Sequence, residues 1–497
     1  MTTITNLTEL STTPGENDVV PIVNLAAPVG SRTKKTKWST LKAALKTVND
    51  LLYAPIAKGV TGGDSHAHYT GVVYGPGTYT ISVDTTLSTD IHIISGAVFE
   101  IASGKTLTIT GRMFAGRYKI FSGAGVVTFA AGAVSEVYPE WWVVNTTPGT
   151  TDMITAFDAA IAALPASGGT ISLLGFYAIS TVWTIGDGTS TTFSTLNSVR
   201  VIGSSIGAGS NDRPADPLTV PTAIKWIGAS GGIMVTLAGP ISGCSFKNIV
   251  LNCNELAKTG LNMVHPDKST FKNIEVLNNR IYAYILTAYP GNTATNNGAN
   301  NNYFENLYAE SEITNCGGII IGSNSTESGG ILDVAQCTFI GLRLRFDNAT
   351  TAAGIVLQYT DYMTFINTTV VVKAGGYPLV ASCPASTNGT LFPNSITFLN
   401  AALMGGALIN DVTWAGTAPI LFLGFHTGDS ETIPTYAQIE FMGITDTGAM
   451  FGKIKPPHMS SAAAGSIVLP TGFIFYNDTT GKLNLYDGVA VREITSS

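Results

Sequence analysis

The side chains best suited to bond-breaking chemistry in this 497-residue chain are three carboxylates, Glu310, Glu312 and Asp347, with Tyr308 and Arg345 in the same neighbourhood. Paired carboxyl groups roughly 5 to 9.5 Å apart are what glycoside hydrolysis needs, one protonating the leaving oxygen while the other activates water. One member of such a pair must hold a raised pKa, supplied by its neighbour's charge. The plainer reading is a set of solvated surface charges, with Glu310 weakly paired to Arg345. Tyr303, Tyr308, Tyr359 and Tyr362 offer rings that can stack on sugar, although tyrosines in repeat architectures also simply cover a core. A second candidate is "GGDSHAH", where His66 and His68, two of only six histidines, are separated by one residue in a glycine-flanked stretch. On an extended backbone both imidazoles face the same side. Two ligands alone do not complete a metal site, and Asp64 can orient one ring by accepting its other N–H.

A repeat gathers the carboxylates. "SFKNI", "TFKNI", "YFENL", "TFIGL", "TFINT" and "TFLNA" carry Phe246, Phe271, Phe304, Phe339, Phe365 and Phe398, with successive gaps of 25, 33, 35, 26 and 33 residues. Self-similarity at a variable period of this size marks a solenoid whose units are too poor in apolar residues to fold alone. Two residues after each Phe stands Asn or Gly, the residue types that tolerate left-handed backbone angles, so each coil is expected to bend there. Residues at Phe+3 and Phe+5 then face inward and those at Phe+4 and Phe+6 outward. Tyr308 is at Phe304+4, Glu310 at Phe304+6 and Arg345 at Phe339+6, whereas Glu312 and Asp347 are each at Phe+8. Coils stacked in register put Glu310 beside Arg345 and Glu312 beside Asp347, about 4.8 Å apart in backbone spacing.

The flanking sequence supplies further pieces. Residues 1–36 are Pro/Gly/Thr-rich with one apolar run, "VVPIV", and a basic patch, "RTKKTK". Residues 37–71 hold a short amphipathic helix, capped by Ser39, carrying Leu41, Leu45, Val48 and Leu52 and stopped by Pro55, followed by the histidine connector. Alternating runs predict a small β-domain over 72–136. The β-solenoid is expected over 137–430, opened by a helix carrying Ile154, Phe157, Ile161 and Leu164. Residues 431–497 read as a linker and a three-stranded β tip turning at "NDTTG" and "DG".

Composition narrows the function. Only 12% of residues are charged and 26 basic stand against 33 acidic residues, for a net charge of −7, with no dense Lys/Arg stripe to neutralise phosphates. Nucleic acid is therefore not an expected partner. No apolar run is long enough to span a membrane, and "MTTITNLTEL" lacks the basic and apolar regions of a standard export signal, so a soluble protein is expected. The five scattered cysteines, without any C-x-x-C spacing, read as buried thiols rather than disulfides or zinc ligands. No nucleophile elbow, P-loop, metalloprotease helix or dinucleotide loop occurs in its required context.

The "YPEWWVV" stretch followed by "TDMITAFDAAIAALPASGGTISLL", the repeated "TFKNI" units, "GVTGGDSHAH" and the terminal "FYNDTTGKLNLYDG" together resemble a bacteriophage tail spike or tail fibre of the pectate-lyase-like class. The resemblance departs where "VVNTTPGTTD" replaces the usual Gly/Asp-rich run and Trp142 stands where Phe-Gly is commoner. It implies an all-β fold, a right-handed parallel β-helix with a short helical N-terminal segment and a small C-terminal β tip, assembled as a homotrimer in the virion tail after synthesis in the host cytoplasm. It implies docking to phage tail or baseplate proteins through residues 1–36, and attachment to a host surface polysaccharide. The alternatives are a depolymerase, hydrolase or lyase, acting through Glu310, Glu312 and Asp347 with Tyr308 and Arg345 holding substrate, and a purely structural tail spacer. No cofactor is required. On a three-fold axis, however, His66 and His68 of three chains bring together six imidazoles, a set suited to octahedral iron or another transition metal.

Overall fold

The structure, a computed structural model, describes residues 19–23, 33–37, 71–189, 192–206, 222–288, 298–322, 334–346, 353–358, 360–373, 376–381, 393, 395–405, 420–427, 439–444, 458–459, 473–477, 482–486 and 490–493. The chain divides into two compact units, 1–134 and 135–497. The expected helix within 37–71 lies outside the described residues. The apolar run Val19–Val23 and the basic run Thr33–Lys37 pair as antiparallel strands.

The first unit is itself a short parallel β-helix. Strands Val72–Tyr74, Ile91–Ile93 and Met113–Ala115 form one parallel sheet, Gly77–Ile81, Ala97–Ile101 and Phe121–Gly123 a second, and Thr85–Leu87, Thr106–Ile109 and Val126–Phe129 a third. Each turn of the chain visits all three sheets in order, so three coils stack. Tyr79, Phe99 and Phe121 occupy one register position on successive coils, and the latter two are fully buried. Alternation in strands of three to five residues predicts the strands but not their closure into a coil, because closure depends on the turns between them.

The second unit opens with the short 3-10 turn Pro139–Trp141 and helix α1, Ile154–Ala162. Phe157 of α1 stands edge-on to Trp183 at 4.7 Å and to Tyr177 at 5.3 Å, so the helix buries its apolar stripe against the first coil. That stripe runs through Ala156, Phe157 and Ala160, while Ile161 is half-exposed. The alanines let the helix approach closely, which moves the packed face slightly away from the expected Ile161.

Beyond α1 the chain winds as a parallel β-helix. Its main sheet takes one strand or strand pair per coil: Thr170–Leu173 with Phe176–Ile179, Arg200–Gly203 with Ala223–Trp226, Ser245–Asn252, Thr270–Leu277, Tyr303–Glu310, Thr338–Ile340 with Arg343–Phe346, Thr364–Ile366 with Thr369–Val372, Ile396–Met404, Ile420–Thr427 and Ile439–Ile444. A second parallel sheet runs from Trp183–Ile185 to Tyr377–Ala381, and a short third one joins Ala299–Asn300, Val334–Ala335 and Thr360–Asp361. The sheet thus continues to Ile444, although the sequence repeat weakens: "ILFLGF" and "IEFMGI" keep the Phe and a Gly two residues later but lose the preceding Thr.

Two ladders hold the coils in register. Phe246, Phe271, Phe304, Phe339, Phe365, Phe398 and Phe422 are buried and stacked, with successive ring centroids 5.7, 5.0, 4.2, 4.9, 4.5 and 4.7 Å apart. Two residues on, Asn248, Asn273, Asn306, Gly341, Asn367 and Asn400 all have positive φ, between 52° and 69°. The Asn273 amide donates to Asn248 Oδ1 at 2.8 Å, Asn306 to Asn273 at 3.0 Å and Asn400 to Asn367 at 2.8 Å. Because the left-handed bend turns the strand, residues flanking Phe and residues at Phe+4 and Phe+6 project from two different outer faces. Strands Phe473–Asn477, Lys482–Tyr486 and Val491–Glu493 form an antiparallel meander near the C-terminus. Cys244, Cys253, Cys316 and Cys337 are buried free thiols, while Cys383 lies outside the described residues.

Candidate functional site

The outward Phe+4 and Phe+6 positions of three consecutive coils make one polar patch. Glu275 pairs in register with Tyr308 and Leu277 with Glu310. One coil further, Tyr308 pairs with Arg343 and Glu310 with Arg345. Inward neighbours Ile274, Val276, Leu307, Ala309, Leu342 and Leu344 are buried in the coil and hold these strands rigid. Arg343 is exposed, Tyr308, Glu310 and Arg345 are half-buried, and Glu275 is only 5% exposed. On the next coil the same positions carry the uncharged Thr369 and Val371.

Tyr308 donates its hydroxyl hydrogen to Glu310 Oε2. Burial, then the hydrogen bond to Glu310 and the charges of Glu310 and Glu275, push the Tyr308 phenol well above its ordinary value, with Arg345 acting in the opposite direction. The phenol therefore keeps its proton at neutral pH and serves as a donor rather than a base. Glu275 and Glu310 lie one strand and two residues apart, a diagonal of roughly 8 Å between backbone positions. Glu275 is covered, so Glu310 is the carboxylate of this diagonal that a bound sugar can reach.

Glu312 is exposed beyond the strand end, after Ser311, whose hydroxyl is buried and donates to the Asn279 carbonyl at 2.8 Å. Its expected partner Asp347 lies outside the described residues, as do Tyr359, His66 and His68. Among the described residues no group of three or more His, Cys, Asp or Glu side chains could hold a metal ion. Tyr303 is on the other outer face, where it donates to Glu305 Oε2 at 3.2 Å beside the Lys272–Glu305 ion pair of 2.7 Å. Tyr362 is 58% exposed at a positive-φ position, away from the carboxylates in sequence and register.

Two residues of the patch were not singled out by type and spacing, Glu275 and Arg343. Their signal was present, since both occupy the Phe+4 position that places Tyr308 outward. Glu312, at Phe304+8, falls beyond the strand end at Glu310, where register no longer governs position.

No protein-family model matches the chain, and no curated protein matches it. Among solved structures it is similar to Geobacillus virus E2 ORF18, at 11% identity over 73% of this chain and 86% of that one, with a TM-score of 0.26. It is similar to bacteriophage CBA120 tailspike protein 3, at 11% identity over 94% of this chain and 77% of that one, with a TM-score of 0.24. The A-module of an Azotobacter vinelandii mannuronan C-5 epimerase matches at 12% identity over 61% of this chain and 97% of that one, with a TM-score of 0.29. Likenesses this loose carry no residue assignment. Among the described residues no helix is long and apolar enough to cross a membrane.

Proposed function

We propose that the chain is a bacteriophage tail spike that attaches to host surface polysaccharide through the face bearing Tyr308, Glu310, Arg343 and Arg345. The observation that carries this reading is the placement of a half-exposed phenol, a carboxylate and two guanidinium groups on adjacent rungs of a rigid parallel sheet. An aromatic ring covers the apolar face of a sugar, while carboxylate and guanidinium groups take its hydroxyls in charge-assisted hydrogen bonds. Each contact is weak, and repeated engagement of a repeating glycan multiplies them.

Assembly as a homotrimer supplies that repetition. Its support is the other outer face, where Lys247, Lys272 and Glu305 give way on later coils to Ile340, Ile366, Leu399 and Leu423, a half-buried apolar column. Such a column gains by being covered, and a second and third copy of the same chain present the same column at the same rung spacing. Light scattering reads the mass directly, and Ile366→Glu is expected to shift it toward the monomer.

Glu310, a half-buried carboxylate that accepts a hydrogen bond from Tyr308, favours a second reading, in which the bound glycan is also cut. Incubation of the purified protein with surface polysaccharides from a bacterial panel, measuring retention and new reducing ends, separates the readings. Retention without new ends supports attachment, new ends lost in Glu310→Gln support cleavage, and no retention on any polysaccharide overturns both in favour of a structural spacer.

A further inference from the structure

Within the patch the charges are not evenly matched. Glu310 has Arg345 as its register partner, but Arg343 is paired across the ladder with the neutral Tyr308 on one side and with Thr369 on the other. Among the described residues no carboxylate forms an ion pair with Arg343, and its side chain is exposed. It also stands two residues from Arg345, so both guanidinium groups project from the same face of one strand, roughly 6.6 Å apart along the backbone. The chain as a whole carries a net charge of −7 with only 26 basic residues, so two arginines on one short strand are a local exception to its composition. The register partners of Arg343 and Arg345 on the following coil, Thr369 and Val371, are uncharged.

An exposed guanidinium beside an aromatic ring and at the edge of a rigid sheet is a preformed fork for a planar oxyanion. We infer that this face recognises an anionic glycan, one whose sugar lies against Tyr308 while its carboxylate or phosphate oxygens take paired hydrogen bonds from Arg343, with Arg345 lending further positive potential. A neutral glycan would leave Arg343 in water and forgo the strongest contact the patch offers. Recognition of this kind has two consequences: binding weakens as salt screens the exposed charge, and lysine is a poor substitute because a point ammonium cannot form the two parallel bonds.

This inference rests on the glycan-binding reading above and is tested on whichever panel polysaccharide the wild-type protein retains. One portion of that polysaccharide is carboxyl-reduced and another is dephosphorylated, and affinity for each is compared with the untreated glycan. Loss of roughly tenfold or more on one treatment supports the inference and identifies the oxyanion. Arg343→Gln is expected to lose a similar factor on the untreated glycan and nothing on the treated one, while Arg343→Lys recovers only part. Equal affinity for all three preparations, or an Arg343→Gln variant that binds the untreated glycan as the wild type does, overturns it while leaving glycan binding intact. No retention of any polysaccharide overturns both. Arg343 is exposed, so its variants keep the thermal transition of the parent, and a shifted transition would redirect the comparison to the treated glycans alone.

Discussion

Glu310 and Arg345 are direct partners across the parallel ladder, and Tyr308 donates its hydroxyl hydrogen to the same carboxylate. Glu310 is thereby held between a phenol on its own strand and a guanidinium on the next. Tyr308→Phe keeps the ring and frees the carboxylate, so glycan affinity is expected to fall by about two- to fivefold, whereas Tyr308→Ala also removes the stacking surface and loses roughly tenfold or more. Calorimetric titration of both variants checks the order, and equal affinities for wild type and Tyr308→Ala would remove this residue from the site.

The Phe304 and Phe339 rings are 4.2 Å apart and nearly parallel at 4°, the tightest pair of the buried stack. Phe304→Ala opens a cavity between two coils and is expected to cost about 3–5 kcal/mol, with Phe304→Leu costing less because it refills most of the volume. Denaturant unfolding reads both values. A cost for alanine no larger than that for leucine would contradict a stack packed without slack.

Gly341 interrupts the asparagine ladder at a φ of +69°. Asn306 Oδ1 lies 2.8 Å from where a Cβ at 341 would stand, so it must swing back toward the position Asn248 and Asn273 adopt in filled rungs. Gly341→Asn suits the left-handed backbone and restores a hydrogen-bonded rung, for a gain of up to about 1 kcal/mol. Gly341→Ala meets the same backbone strain with no hydrogen bond and is expected to lose about 1 kcal/mol. Thermal unfolding should therefore rank asparagine above glycine and glycine above alanine, and alanine above asparagine would contradict the ladder's role.

Tyr284 is fully buried, and its single hydroxyl hydrogen is shared between two acceptors, the Ile274 carbonyl at 2.9 Å and the Tyr308 carbonyl at 2.7 Å. Burial, and next the charge of Glu275, push its phenol well above the ordinary 10.0. The folded state thus binds this proton more tightly than the unfolded state. Its contribution to stability is complete below the unfolded pKa of about 10 and is lost as pH rises beyond it. Tyr284→Phe is expected to be less stable at neutral pH, by about 1–2 kcal/mol, but to show a shallower alkaline decline. An alkaline decline identical to that of the wild type would place the pH dependence elsewhere.

The repeat made the coils legible because Phe recurs with Asn or Gly two residues later, and both features are local: one side chain that must be buried and one backbone angle that few residues tolerate. Counting from Phe therefore predicted the Glu310 and Arg345 register correctly. It did not reveal that residues 72–129 also coil, because strands of three to five residues carry alternation but no repeated bend residue. Nor did it reach Glu275, which has the outward Phe271+4 position yet is covered in the fold, since what covers an outer face is a tertiary matter that no strand period encodes.

Retention of bacterial surface polysaccharide by the purified wild-type protein, beside Tyr308→Ala and Arg343→Gln variants of unchanged thermal transition, tests the attachment reading most directly. Binding to at least one polysaccharide by the wild type, and its weakening by roughly tenfold in each variant, is the expected result. Binding that both variants retain in full would place glycan recognition on another surface of the chain.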